Sequence, residues 1–144
     1  ESYLILYGFK DEIYKDNDDS SLNAVIKDIN KYIKDDELLI DIHFNAFNGK
    51  ATGSEIIIRN HPSNKEKKFA TDIANIISSV LEIKNRGIKF ESQTARGRIG
   101  ILNGKGNRIL LELCFLDNPD DFFKFFTKKH ILASAIAEYI IENL

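Results

Sequence analysis

Leu38-Leu39-Ile40-Asp41-Ile42-His43-Phe44 is the stretch that decides the fold of this chain. It is apolar almost throughout, as a strand buried inside a covered sheet must be, and only Asp41 and His43 interrupt it. A second such run, Arg108–Phe115, contains Ile109-Leu110-Leu111-Glu112-Leu113, and a third, Ser54–Arg59, is rich in isoleucine. Around these runs the apolar spacing lengthens to that of a helix. Leu22, Val25, Ile26, Ile29 and Ile33 recur at three-to-four spacing behind the cap signal Asp19-Ser20-Ser21. Ser63-Asn64-Lys65-Glu66 is a capping box, and the helix it opens carries the stripe Phe69, Ile73, Ile76, Ile77, Val80 and Leu81. Asn118-Pro119 is a cap followed by proline in the first turn, and Ile131, Ala135, Ile136, Tyr139 and Ile140 are expected on the inner side of the last helix. Strands alternating with helices of this length predict an α/β domain of three layers, α/β/α, around a mostly parallel sheet.

The remaining segments are less regular. Ser2–Phe9 starts with the apolar run Tyr3-Leu4-Ile5-Leu6-Tyr7, which suits a strand or a short helix. Asn85–Asn107 reads as a glycine-bearing loop with the basic residues Arg86, Arg96 and Arg98, and with a short strand around Ile99–Leu102. No repeat or linker divides the chain, and 144 residues fit a single domain, 1–144. With 20 Lys and Arg against 22 Asp and Glu, the net charge of −2 argues against a nucleic-acid partner held by phosphate contacts. No apolar run approaches the roughly 20 residues that span a bilayer, and the N-terminus does not read as a signal peptide. The single cysteine, Cys114, excludes an internal disulfide and a zinc site made of cysteines.

Two ionisable residues stand where apolar ones are expected. His43 lies at the carboxyl end of its strand, the end at which open parallel sheets place ligands, and by period two it shares a side with Asp41. It reads either as a core histidine bonded to a backbone carbonyl or as a functional group. Glu112 is flanked by leucines, and an unpaired carboxylate there costs several kcal/mol unless it is protonated, paired or used. An ion pair with Arg86 or Arg108 is the structural explanation. A histidine that holds zinc and a glutamate that handles the proton of its water are the minimum parts of a hydrolytic metal site.

The same segments carry a resemblance. Asp41-Ile42-His43-Phe44-Asn45-Ala46-Phe47 with Gly53-Ser54-Glu55-Ile56, then Asn85-Arg86-Gly87-Ile88-Lys89, then Leu110-Leu111-Glu112-Leu113-Cys114-Phe115-Leu116-Asp117-Asn118, and finally the Ala133–Ile141 helix follow one another in family order. Over roughly residues 16–144 the chain resembles the zinc-dependent N-acetylmuramoyl-L-alanine amidases of cell-wall and phage-endolysin type, the Amidase_3 family. The resemblance implies a zinc-ligand role for His43 and the catalytic-glutamate role for Glu112, with Cys114 as a small residue where the family has glycine. It implies Zn2+ as cofactor and hydrolysis of the amide between N-acetylmuramic acid and the L-alanine of the stem peptide. Glu112 would act as base and then acid, Asn45 and Asn118 would support the site or cap local structure, and Arg96 and Arg98 would meet stem-peptide carboxylates or solvent. The expected partner is peptidoglycan, met as a muramyl peptide by a monomer in the cell wall or periplasm.

The chain departs from the family in one respect. The family holds zinc with two histidines and a glutamate, the first histidine in a Gly-His-Gly segment ending the first strand, and this chain has no such segment. His61 and His130 fall where the family has no ligand, His61 in a loop and His130 ahead of the final helix. Glu1 stands closer to His43 than the family's ligand glutamate would, and it is not assigned. The expected domain therefore lacks the family's first strand. The alternative is an inactive amidase-like module that binds peptidoglycan without a complete zinc site. A metal-free hydrolase is disfavoured by the lack of a nucleophilic serine or cysteine motif.

Overall fold

The structure, a computed structural model, describes residues 21–144. The expectations for Ser2–Phe9, for Glu1 and for Asp19 and Ser20 lie outside the described residues. Ser21 Oγ accepts the backbone N–H of Ala24 and opens helix α1 (Leu22–Tyr32). Strands β1 (Leu38–Asn45) and β2 (Ser54–Ile58) follow. The capping box forms as read: Glu66 N donates to Ser63 Oγ at 3.0 Å, Ser63 N donates to Glu66 Oε2 at 2.7 Å, and helix α2 (Asn64–Leu81) starts there. Strand β3 (Asn85–Phe90) leads into two short 3-10 turns, Glu91–Gln93 and Gly100–Leu102. Strand β4 (Asn107–Phe115) and helix α3 (Pro119–Asn143) complete the described chain, with Asn118 accepting from the N–H groups of Asp120 and Asp121 at the helix start.

The sheet order is β1-β4-β2-β3. β1 runs parallel to β4 and β2 parallel to β3, while β2 runs antiparallel to β4. The mostly parallel sheet is therefore mixed, with one antiparallel seam between two parallel pairs. α2 and α3 cover one face, where Ile56, Ile58, Ile109, Leu111 and Leu113 pack with Phe69, Ile73, Ile77 and Leu132. On the other face Ile57 and Leu110 meet Ile101 and Leu102 of the second 3-10 turn, and Ile26 and Ile29 of α1. These are the three layers that the alternation of periods predicts.

Four local readings need correction. Among the described residues β1 lies at the sheet edge, so Ile42 is 61% exposed although its strand is apolar. Ile99–Leu102 is not a strand, because Gly100–Leu102 winds into a 3-10 turn that packs Ile101 and Leu102 downward. The real strand of that stretch is β3, whose mixture of charged and apolar residues hid it. His130 lies within α3 rather than before it, and Ile131 faces outward while its neighbour Leu132 is buried.

Leu111, fully buried at the centre of the sheet, should be sensitive to truncation. Leu111→Ala is expected to cost about 2–5 kcal/mol of unfolding free energy, and the exposed, still β-branched Ile42→Thr less than about 1 kcal/mol, in denaturant titrations.

Candidate active site

Register builds the site. Parallel pairing sets His43 of β1 opposite Glu112 of β4, and antiparallel pairing sets Glu55 of β2 opposite the same Glu112. Three ionisable side chains thus form one row across three adjacent strands. Their neighbours along the strands fix the side they face: Leu39, Leu110 and Ile57 alternate with them and pack on the α1 face. The row closes the apolar patch of that face, at the carboxyl ends of β1 and β4.

His43 is half-exposed, and its Nε2 lies 2.9 Å from Asp41 Oδ2. It is therefore oriented by a carboxylate and not by the backbone carbonyl that a core histidine would use. Glu112 is the one position of β4 that is not fully buried. Its Oε2 is nevertheless buried without a hydrogen-bond partner. Burial pushes the Glu112 carboxyl above the ordinary value; the charges of His43 and Arg96 pull against that shift, and those of Glu55 and Asp41 add to it.

Neither expected ion pair of Glu112 forms. Arg108 is fully buried at the other end of β4, where its guanidinium donates to the carbonyls of Lys105 and Ile101 and to Asn30 Oδ1. Arg86 donates through Nε to Glu55 Oε2 at 2.8 Å, and Lys89 Nζ reaches the same oxygen at 2.8 Å. Asn45 Nδ2 donates to Glu55 Oε1 at 3.3 Å. Burial alone would raise the Glu55 carboxyl, but the hydrogen bonds and charges of Lys89 and Arg86 hold it below the ordinary value.

Sequence reasoning gave Glu55 no role, and the detectable signal was a three-residue spacing. In a regular strand Arg86 and Lys89 would point to opposite faces. Between them Gly87 adopts φ +82°, and the β2–β3 register slips there, with one residue of β2 set against two of β3. This glycine bulge turns both cations toward Glu55.

The other residues singled out fall into place around this row. Asn118 caps α3 and donates to the carbonyl of Ala51. Arg96 and Arg98 are exposed, and the field of Arg96 reaches Glu112. Cys114 is buried in the core, its thiol pushed up to about 12 by burial and by the charge of Asp121, so it offers no thiolate. His61 lines an open depression of about 400 Å³ with Arg59 and Lys105, at the far end of β2 from Glu55. The loop joining β1 to β2 is bound to the start of α3: Phe47 N and Gly49 N donate to Asp117 Oδ2. Thr52 Oγ1 and Gly53 N donate to Asp121, which is buried and also accepts Phe115 N.

An oriented imidazole thus stands beside an unpartnered carboxylate, and the comparisons with known proteins place the chain in a family. The sequence signature of N-acetylmuramoyl-L-alanine amidases matches residues 1–142. This chain belongs to the N-acetylmuramoyl-L-alanine amidase family. The catalytic domain of the CD27L endolysin targeting Clostridia difficile is 32% identical, with a TM-score of 0.70 over 99% of this chain and 77% of that one. An N-acetylmuramoyl-L-alanine amidase from Clostridium difficile 630 is 26% identical, with a TM-score of 0.71 over 99% and 76%. Cwp6 from Clostridium difficile is 27% identical with a TM-score of 0.80, and this chain spans 99% of its own length but only 23% of Cwp6. No curated protein matches.

Of the three side chains that the resemblance would set around zinc, the described residues offer one candidate, His43. His43 offers an imidazole and Glu112 an unpaired carboxylate oxygen beside it, a donor pair that suits zinc and its water. Among the described residues no group of three or more His, Cys, Asp or Glu side chains gathers to hold a metal.

The Glu55 cluster has a stability consequence of defined sign. Its folded pKa is depressed, so its contribution is present above the ordinary carboxylate value of 4.5 and is lost as pH falls through the folded value. Glu55→Gln should lower the unfolding free energy by roughly 1–3 kcal/mol at neutral pH, and the gap to wild type should close on acidification. Denaturant titrations of both proteins across the acid range check this.

Proposed function

We propose that this chain hydrolyses the amide between the lactyl group of N-acetylmuramic acid and the L-alanine of the stem peptide, with zinc held in part by His43 and with Glu112 as the proton carrier. The observation that supports the roles is the row across β1, β4 and β2, in which Glu112, its Oε2 free, is paired with His43. Family membership supports the substrate.

Bound zinc would polarise the scissile carbonyl and acidify its attacking water. His43 would present one ring nitrogen to the metal while Asp41 holds the other and fixes the ring. Glu112, with no donor on Oε2 to satisfy it, takes the proton of the attacking water and returns it to the departing amine of alanine. A carboxyl raised by burial suits both halves of that transfer, because the base must be strong enough to take the proton and the acid strong enough to give it back. Arg96, on the loop whose charge reaches Glu112, supports binding of a stem-peptide carboxylate. A peptidoglycan substrate supports action outside the cytoplasm, in the cell wall or periplasm; no helix among the described residues is long and apolar enough to cross a membrane. We expect the chain to act as a monomer with peptidoglycan as its partner.

Two substitutions separate the roles. Glu112→Ala should keep its zinc and lose about 100-fold or more of stem-peptide release from purified peptidoglycan. His43→Ala should lose zinc by elemental analysis as well as activity. Equal hydrolysis by wild type and Glu112→Ala removes Glu112 from its role, unchanged zinc in His43→Ala removes His43, and a wild type that binds peptidoglycan without cleaving it leaves the binding-module reading.

A further inference from the structure

Glu55 and Glu112 are direct partners across an antiparallel pair, a relation that puts Cβ atoms about 4.5–5.5 Å apart. Two cations, Arg86 and Lys89, stand 2.8 Å from Glu55 Oε2, on the carboxylate next to Glu112. A part-buried carboxylate beside two cations is expected to take one of them as a partner. Glu112 takes neither, and its Oε2 remains bare. The cause lies in Glu55. One of its oxygens engages both cations, and the other accepts Asn45 Nδ2. Arg86 is further held by stacking over Phe115, with its guanidinium carbon 5.2 Å from the ring centre, and by Nη1 donating to the Thr52 carbonyl at 3.4 Å.

We infer that Glu55 is a positioning residue that captures Arg86 and Lys89 so that neither cation pairs with Glu112. The inference deepens the proposed reading and rests on it for its kinetic consequence, while its geometric consequence stands alone. A carboxylate paired with a guanidinium or ammonium group is a poor proton acceptor, so without Glu55 the base would be quenched by the cations that now surround its neighbour. The loss would fall on the chemical step and therefore on kcat, because the cations bind no part of the substrate in this scheme.

The test uses the full chain and begins with the crystal structure of Glu55→Gln. The expected result is Arg86 or Lys89 within hydrogen-bond distance of the Glu112 carboxylate; both cations turned away with Glu112 still bare overturns the inference whatever the enzyme does. In kinetics on purified peptidoglycan, Glu55→Gln should lose roughly tenfold or more in kcat with KM little changed, and adding Arg86→Gln and Lys89→Gln should restore most of it. A triple variant as slow as the single one overturns capture, since removing the cations would then bring no relief. Lys89→Met leaves Arg86 on Glu55 and strands no cation, so it keeps the question answerable if Glu55→Gln does not fold. Its kcat should stay within about threefold of wild type, and a tenfold fall would make Lys89 part of the chemistry. Failure of the amidase reading shows separately, as a wild type that does not cleave peptidoglycan, and failure of the Glu112 assignment as hydrolysis that survives Glu112→Ala.

Discussion

A carboxylate inside a sheet must be neutralised by a partner, kept protonated or left bare at a cost, and β4 and β2 each carry one at the same level. The molecule resolves the two differently. Glu55 receives two cations and an amide, whereas Glu112 receives nothing on Oε2. Much of the site follows from this asymmetry. The saturated carboxylate anchors β3 to β2, and the bare one keeps the lone pairs of Oε2 unengaged. An unsatisfied buried oxygen is tolerated where chemistry uses it, and here it lies opposite an imidazole on the exposed edge of the sheet.

The order of strands makes the asymmetry possible. Because β4 sits between a parallel partner and an antiparallel one, its residue 112 has neighbours from the carboxyl end of β1 and from the beginning of β2. A single short crossover could not supply both. Irregular pairing then ends the row. Beyond His43 the β1–β4 register slips, one residue of β1 facing two of β4, and Leu113 and Cys114 both turn into the core under α2 and α3. The polar row is thereby confined to one level, with apolar packing on both sides of it.

Much of this was legible in the chain itself, for identifiable reasons. The caps at Ser21, Ser63 and Asn118 are local chemistry, and each opens its helix where the residues say it must. Glu112 and His43 could be picked out because each violates an otherwise apolar run. The rest depended on neighbours that sequence does not display. Period two assigns Ile42 to a face but says nothing of whether another strand flanks it. Strand β3 escaped notice because Arg86 and Lys89 spend their charge on Glu55, a partner 31 and 34 positions away, so a polar-looking segment is half-buried. Glu55 escaped because it stands near the start of its strand, where a charged residue looks ordinary.

The buried carboxylate of Asp121 ties three parts of the chain into one body. It accepts the hydroxyl of Thr52, the amide of Gly53 and the amide of Phe115, joining the end of β4, the loop after β1 and the first turn of α3. With Asp117 holding Phe47 and Gly49, the wall on this flank is clamped at both ends of its span, yet the Phe47 ring at its crest is 77% exposed. The exposed aromatic ring is therefore carried on a loop whose backbone is already tied to the start of α3 before anything reaches it.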